Sequence, residues 1–179
     1  MTMSTMSSEP VVLTPVTPSD QALLSNLLQL YIHDLSDIFT KVELGPDGRF
    51  GYPYLPLYWS EPERRFAYVI RSGPHVAGFA LAVRGSPVVE DPDVHDIAEF
   101  FVMRRYRHCG VGRQAARLLW QALPGKWTVR VSEGNTRALA FWSRVVAEVT
   151  EGRASVSTRP GEPHAWRVFH FETVATARP

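Results

Sequence analysis

"RHCGVG", residues 107–112, decides how the rest of the chain is read. Two glycines stand two apart behind an arginine, a histidine and the chain's only cysteine. The apolar run "DIAEFFVM" (96–103) comes before them and "RQAARLLWQAL" (113–123) follows. The first reads as a strand buried on both faces. The second reads as a helix with Ala116, Leu119, Trp120 and Leu123 turned inward. A glycine-bearing turn between strand and helix builds an anion site. The first helical N–H groups have no internal partner, the dipole is positive there, and glycine lets a phosphate approach the backbone. Arg107 and Arg113 add charge-assisted donors. A tight connector with no ligand gives the same letters, so the loop alone leaves both readings open.

Two better-known loops do not fit. A P-loop needs Lys-Ser or Lys-Thr after its last glycine, whereas Arg113 and Gln114 follow Gly112. A dinucleotide loop has a third glycine where Ala115 stands, and it follows the first strand of a parallel sheet. This loop follows the fourth expected strand. "VVLTPV" (11–16) is expected at a sheet edge, because Pro15 cannot donate to a ladder. "TPSD" (17–20) starts a helix whose apolar face is Leu24, Leu27, Leu28, Tyr31 and Leu35. "RFAYVIR" and "VAGFALAV" flank "SGPH" as an antiparallel hairpin. Downstream, "WTVRV" (127–131) is a strand, "GNTRALAFWSRVV" (134–146) a helix capped by Asn135, and "AWRVFHFETV" (165–174) a closing strand. The expected fold class is α/β (α+β), a mixed, mostly antiparallel sheet with helices.

Composition sets the outer bounds. The 179 residues suit a single domain over 11–179 behind a loose tail at 1–10. A net charge of +1 gives no general attraction to nucleic acid or membrane, and no apolar run approaches the ~18 residues of a membrane span. One cysteine forbids an internal disulfide, so a cytoplasmic location is expected. The histidines do not show paired metal-ligand spacing, and no metal is expected. Residues 40–65 are broken by prolines and glycines, yet Tyr52, Tyr54, Tyr58 and Trp59 crowd together there. Such a segment packs on the domain or lines a pocket.

The loop resembles the R/Q-x-x-G-x-G/A signature of the GNAT superfamily of acetyl-CoA-dependent N-acetyltransferases. "NTRALAFW" (135–142) resembles that family's N-x-x-A-x-x-F-Y segment, at about the expected distance. The resemblance spans roughly residues 11–150. The early part also looks like a group of that superfamily with undefined substrates. It implies helices on both faces of the sheet and a splay between the strands at 96–103 and 127–131. It implies acetyl-CoA as co-substrate, its pyrophosphate held by the amides of Cys109, Gly110, Val111, Gly112, Arg113 and Gln114 with Arg107 and His108 beside them. Phe101, Val102 and Met103 would meet the pantetheine arm, and Asn135 would contact it from the next helix.

The implied activity is direct acetyl transfer to a primary amine of a small molecule, with the non-catalytic acyl-CoA-binding module of the same fold as the alternative. Direct transfer needs a base. Asp96 and Glu99 lie on the strand where the family carries one. Strict alternation puts them on opposite faces, unless a bulge changes the count. Glu99 sits in an apolar run where burial would raise its pKa, and it is favoured. Tyr31, Tyr52, Tyr54 and Trp59 are the candidate acceptor wall, suited to a cationic amine. Trp142 stands where the family has its tyrosine acid, and indole cannot titrate as an acid. Cys109 reads as a space-filler, since direct transfer needs no acyl-enzyme. Exposed sheet edges leave a homodimer open.

Overall fold

A computed structural model describes residues 9–174, so residues 1–8 of the expected tail lie outside the described residues. Chain order is β1 (Val11–Pro15), α1 (Gln21–Leu35), α2 (Leu57–Ser60), β2 (Arg65–Ser72), β3 (His75–Arg84), β4 (His95–Val102), α3 (Val111–Ala122), β5 (Gly125–Ser132), α4 (Thr136–Thr150), β6 (Ser155–Arg159) and β7 (Trp166–Thr173). Before α1 the Asp20 carboxylate accepts from the Thr17 N–H at 2.9 Å, satisfying a donor that the first turn would leave idle. The sheet runs β1-β2-β3-β4-β5-β7-β6. Every pairing is antiparallel except β4 with β5.

That parallel contact positions everything else. It consists of His95 with Trp127, Asp96 with Thr128 and Ile97 with Val129, and there it stops. The cause lies on the other side of β4. Leu81 of β3 faces Glu99 while Ala82 faces Ile97, so Ala98 is an extra, bulged residue. A bulge bends its strand and adds twist, which is consistent with β4 leaving β5 from this point. Beyond it β4 stays close to β3. A Cβ on Gly78 would land on the Phe101 carbonyl oxygen, so only glycine fits.

The two faces are covered by different helices. α3 and α4 pack over Ala80, Ala82, Ile97, Trp127, Val129 and Val131. α1 lays Leu24, Leu27 and Leu28 on Phe79, Leu81 and Phe101. Each of those leucines contributes about 1.5–3 kcal/mol by burial, which fixes the helix that carries Tyr31. Strand β6 departs from the sequence expectation, which had one strand after α4. Its residues Ser155–Arg159 are mostly exposed on both faces, so no period-2 pattern marks them.

Candidate functional site

The turn after β4 has the backbone its glycines call for. His108 and Gly110 both take positive φ, 63° and 87°. Gly110 is the residue before α3, and the first helical N–H with an internal acceptor is that of Gln114, bonded to the Gly110 carbonyl at 3.0 Å. The amides of Gly110, Val111, Gly112 and Arg113 are the four orphans that every helix start leaves. A Cβ on Gly112 would crowd Phe141 at 3.2 Å and touch Val102 at 3.5 Å, so the turn is seated tightly against α4 and in contact with β4. Gln114, expected among the anion donors, is therefore corrected: as the fourth helical residue its N–H is already committed.

Arg107 is a second correction. Its Nε donates to the Val102 carbonyl at 2.7 Å and its Nη2 to Asp34 at 2.5 Å. Arg104 holds the other oxygen of Asp34 at 2.7 Å. Against the cost of burial, the two guanidinium groups keep the Asp34 carboxyl below its usual range. The Arg107 side chain thus ties the end of β4 to α1 through a carboxylate no local pattern could reveal. Met103 is corrected likewise, since its N–H donates to Ala77 and its carbonyl accepts from Tyr106, both at 2.8 Å. Phe101 is buried on the α1 face, against Phe79 and Tyr31. Val102 is left with its carbonyl pointing away from β3. His108 and Cys109 are exposed, the Cys109 thiol donating to the Tyr106 carbonyl at 3.0 Å. Arg113 lies 3.7 Å from Glu148.

Where β4 and β5 part there is a cavity of about 530 Å³. Glu99, Phe100 and Ala98 line it from β4, Arg130 and Ser132 from β5, Asn135 and Trp142 from α4, and Tyr31 and Tyr52 from the α1 side. Glu99 accepts from the Tyr31 hydroxyl at 2.5 Å and the Tyr52 hydroxyl at 3.1 Å. Burial pushes the Glu99 carboxyl up, and the neighbouring Asp96 adds to it. The two phenol bonds and the Arg130 charge pull the other way without cancelling the rise. Burial and Glu99 together raise the Tyr31 hydroxyl well above the ordinary phenol value, so it remains a donor.

Asp96 is fully buried and differently employed. It takes the Thr128 hydroxyl at 2.5 Å, the Arg130 Nη2 at 2.8 Å and the Arg130 Nε at 3.0 Å, and Ser86 at 3.2 Å. The bulge at Ala98 places Asp96 on the same face as Glu99, where strict alternation had put them on opposite faces. Asp96 is occupied in holding Arg130 and, unlike Glu99, does not line the cavity. Arg130 was missed, because a lone arginine in "WTVRV" reads as a solvent-facing strand residue.

Of the expected acceptor wall, Tyr31 and Tyr52 line the cavity. Tyr54 is 56% exposed, edge-on to Tyr52 at 5.9 Å. Trp59 lines a separate, smaller cavity with Pro15 and Tyr68. These two do not line the main cavity: Tyr54 is turned to solvent, and Trp59 is half-buried against the α1-side core. Phe39 and Trp166, stacked at 5.8 Å, line the main cavity and were not foreseen. Asn135 both lines the cavity and caps α4, its Oδ1 accepting from the Ala138 N–H at 3.1 Å. Trp142 lines it too, packed edge-on against Phe100 at 5.0 Å and Phe141 at 4.9 Å. Among the described residues no group of three or more His, Cys, Asp or Glu could hold a metal ion, and no helix is long and apolar enough to cross a membrane.

This geometry has counterparts. Solved structures with the same fold include an acetyltransferase from Thermus thermophilus, with TM-score 0.61 and 18% identity over 90% of this chain and 96% of that one. Spermidine N-acetyltransferase from Vibrio cholerae, in complex with CoA and spermine, has TM-score 0.63 and 11% identity over 91% and 95%. A Salmonella typhimurium protein solved with its cofactor acetyl-CoA has TM-score 0.64 and 11% identity over 94% and 97%. No curated protein sequence matches. The sequence model of the acetyltransferase (GNAT) family matches residues 30–146, well over half of the 179, through β4, the turn, β5 and most of α4. The chain belongs to the acetyltransferase (GNAT) family.

Proposed function

We propose that the protein acetylates a primary amine of a small molecule by direct attack within a ternary complex with acetyl-CoA. The carrying observation is one strand with two ends of use. β4 presents Glu99 to the cavity and runs out into a turn of four unpartnered amides. The residues fit the co-substrate. A diphosphate is held by the amides of Gly110 to Arg113, with the positive end of α3 behind them. The exposed edge of β4 at Phe100 and Val102 receives the amide-bearing arm. Acetyl-CoA would supply the activated acyl carbon: as the C–N bond forms its C–S bond breaks, and CoA leaves as the thiolate and is released as the thiol. Glu99 takes the proton that the attacking nitrogen gives up, directly or through one water. Burial raises its pKa above the ordinary carboxylate value, which strengthens it as a base. Tyr31 and Tyr52 orient the carboxylate, and the Arg130 charge opposes the rise that burial imposes on it.

The acetyltransferase whose structure holds spermine supports an amine as acceptor. Thiol release from acetyl-CoA across an amine panel is the test. At least one amine should give saturable release, and Glu99→Gln should lower kcat/KM by roughly 10²–10⁴-fold, the usual share of a general base. A second reading is favoured by Trp142. In it the protein binds acyl-CoA without turning it over. Thermal stabilisation by acetyl-CoA with no release for any amine would establish that reading. Absence of stabilisation at millimolar CoA or acetyl-CoA would defeat both.

A further inference from the structure

One buried polar group in the cavity has no partner. The Ser132 hydroxyl is on a residue only 3% exposed, lines the cavity, and makes no hydrogen bond. A buried hydroxyl without a partner is costly, which makes it a candidate for a ligand contact. Strand alternation puts Ser132 on the same face as Arg130, about 7 Å along β5. Arg130 spends Nε and Nη2 on Asp96, which leaves Nη1 as its remaining fork nitrogen, on a side chain 26% exposed. The β5 lip therefore carries a guanidinium nitrogen and a hydroxyl on one face, two residues apart. The β4 lip opposite carries Glu99.

We infer that the acceptor is an α-amino acid with an apolar or aromatic side chain, its carboxylate received by Arg130 and Ser132. The inference rests on the acetyl-transfer reading and names the substrate class of that site. Charge decides for a zwitterion. An acceptor with an ammonium alone would leave Ser132 and the Arg130 nitrogen idle. A dianion such as phosphate would meet one guanidinium already shared with Asp96. A carboxylate next to an ammonium mirrors the wall: ammonium towards Glu99, carboxylate towards β5. Asp96 does not spoil this, because Thr128 and Ser86 also donate to it and spread its charge. The outer wall carries Lys41, which pairs with Glu162, and Glu43, while Phe39 on Trp166, with Phe50 and Tyr52, offers an apolar side chain a surface to pack on.

The test compares ligands that differ only in the carboxylate. Phenylalanine and 2-phenylethylamine are assayed as acceptors. N-acetylphenylalanine and N-(2-phenylethyl)acetamide are titrated by calorimetry into CoA-saturated protein. The carboxylated member should be favoured at least tenfold in each pair. The preference should shrink threefold or more in Ser132→Ala and in Arg130→Lys, which keeps the charge beside Asp96 but loses the fork. Ser132→Ala removes only an unpartnered hydroxyl, so folding is not at stake. Equal preference, or a preference unmoved by both substitutions, overturns the subsite; thiol release from 2-phenylethylamine would then leave acetyl transfer standing. A calorimetric preference without thiol release from either amine would keep the subsite and overturn the transfer.

Discussion

Glu99 is costly to ionise where it stands, and two opposite pH dependences follow from that one fact. As a base it must be deprotonated, so the rate rises with pH through a pKa displaced above the ordinary 4.5. In Glu99→Gln that limb should vanish from the pH profile of kcat/KM along with most of the activity. Stability runs the other way. A carboxyl whose folded pKa exceeds its unfolded value binds its proton more tightly when folded. Ionisation then withdraws stability as pH climbs from about 4.5 through the raised value. Glu99→Gln should therefore melt higher than the parent above that window and match it below, as thermal unfolding at a series of pH values would show. A variant less stable at neutral pH would mean that the Tyr31 and Tyr52 bonds outweigh the burial. A charge inside an apolar run made Glu99 legible in the sequence. The Asp96–Arg130 pair was not legible, because it depends on a bulge and on a pairing 34 residues apart.

Glycines inside a strand and before a helix are the next lever. Gly78→Ala would drive a Cβ into the Phe101 carbonyl, where neither strand can yield without losing register. A loss of about 3 kcal/mol or more is expected in denaturant unfolding. Gly110→Ala asks an alanine to hold φ near 87°, at a cost of about 1–2 kcal/mol. Its larger effect belongs to the turn: if the amides bind the diphosphate, the KM for acetyl-CoA should rise at least fivefold while kcat stays within a factor of two. A fall in kcat alone would place the anion elsewhere. Turn, hairpin and helices were legible because each writes its own local pattern. Strand β6, exposed on both faces, writes none. The Arg107 partner lies 73 residues away, so the sequence could show the arginine but not the carboxylate that diverts it.

Across the whole molecule, two parts of the sheet, β1 to β4 and β5 to β6, meet along three residue pairs. A ligand lying in the gap would replace the pairing that the bulge abolished. Antiparallel alternation assigns the amides there. Met103 donates to Ala77, so Phe101 shares that side and Phe100 and Val102 face the gap. The Val102 carbonyl agrees, since it is bonded by Arg107 on that side. Hydrogen exchange should thus find the Phe100 and Val102 amides fast in the free protein and slowed at least tenfold by acetyl-CoA. The β2–β3 amides, already paired on both sides, should change only as much as global stability does. That share is about 2.7 kcal/mol when the ligand stands at 100 times its dissociation constant. Protection confined to residues 108–113 would mean that the diphosphate binds while the arm lies outside the sheet. Glu99 would then be too far from the acyl carbon to act, and the cavity between β4 and β5 would need another occupant.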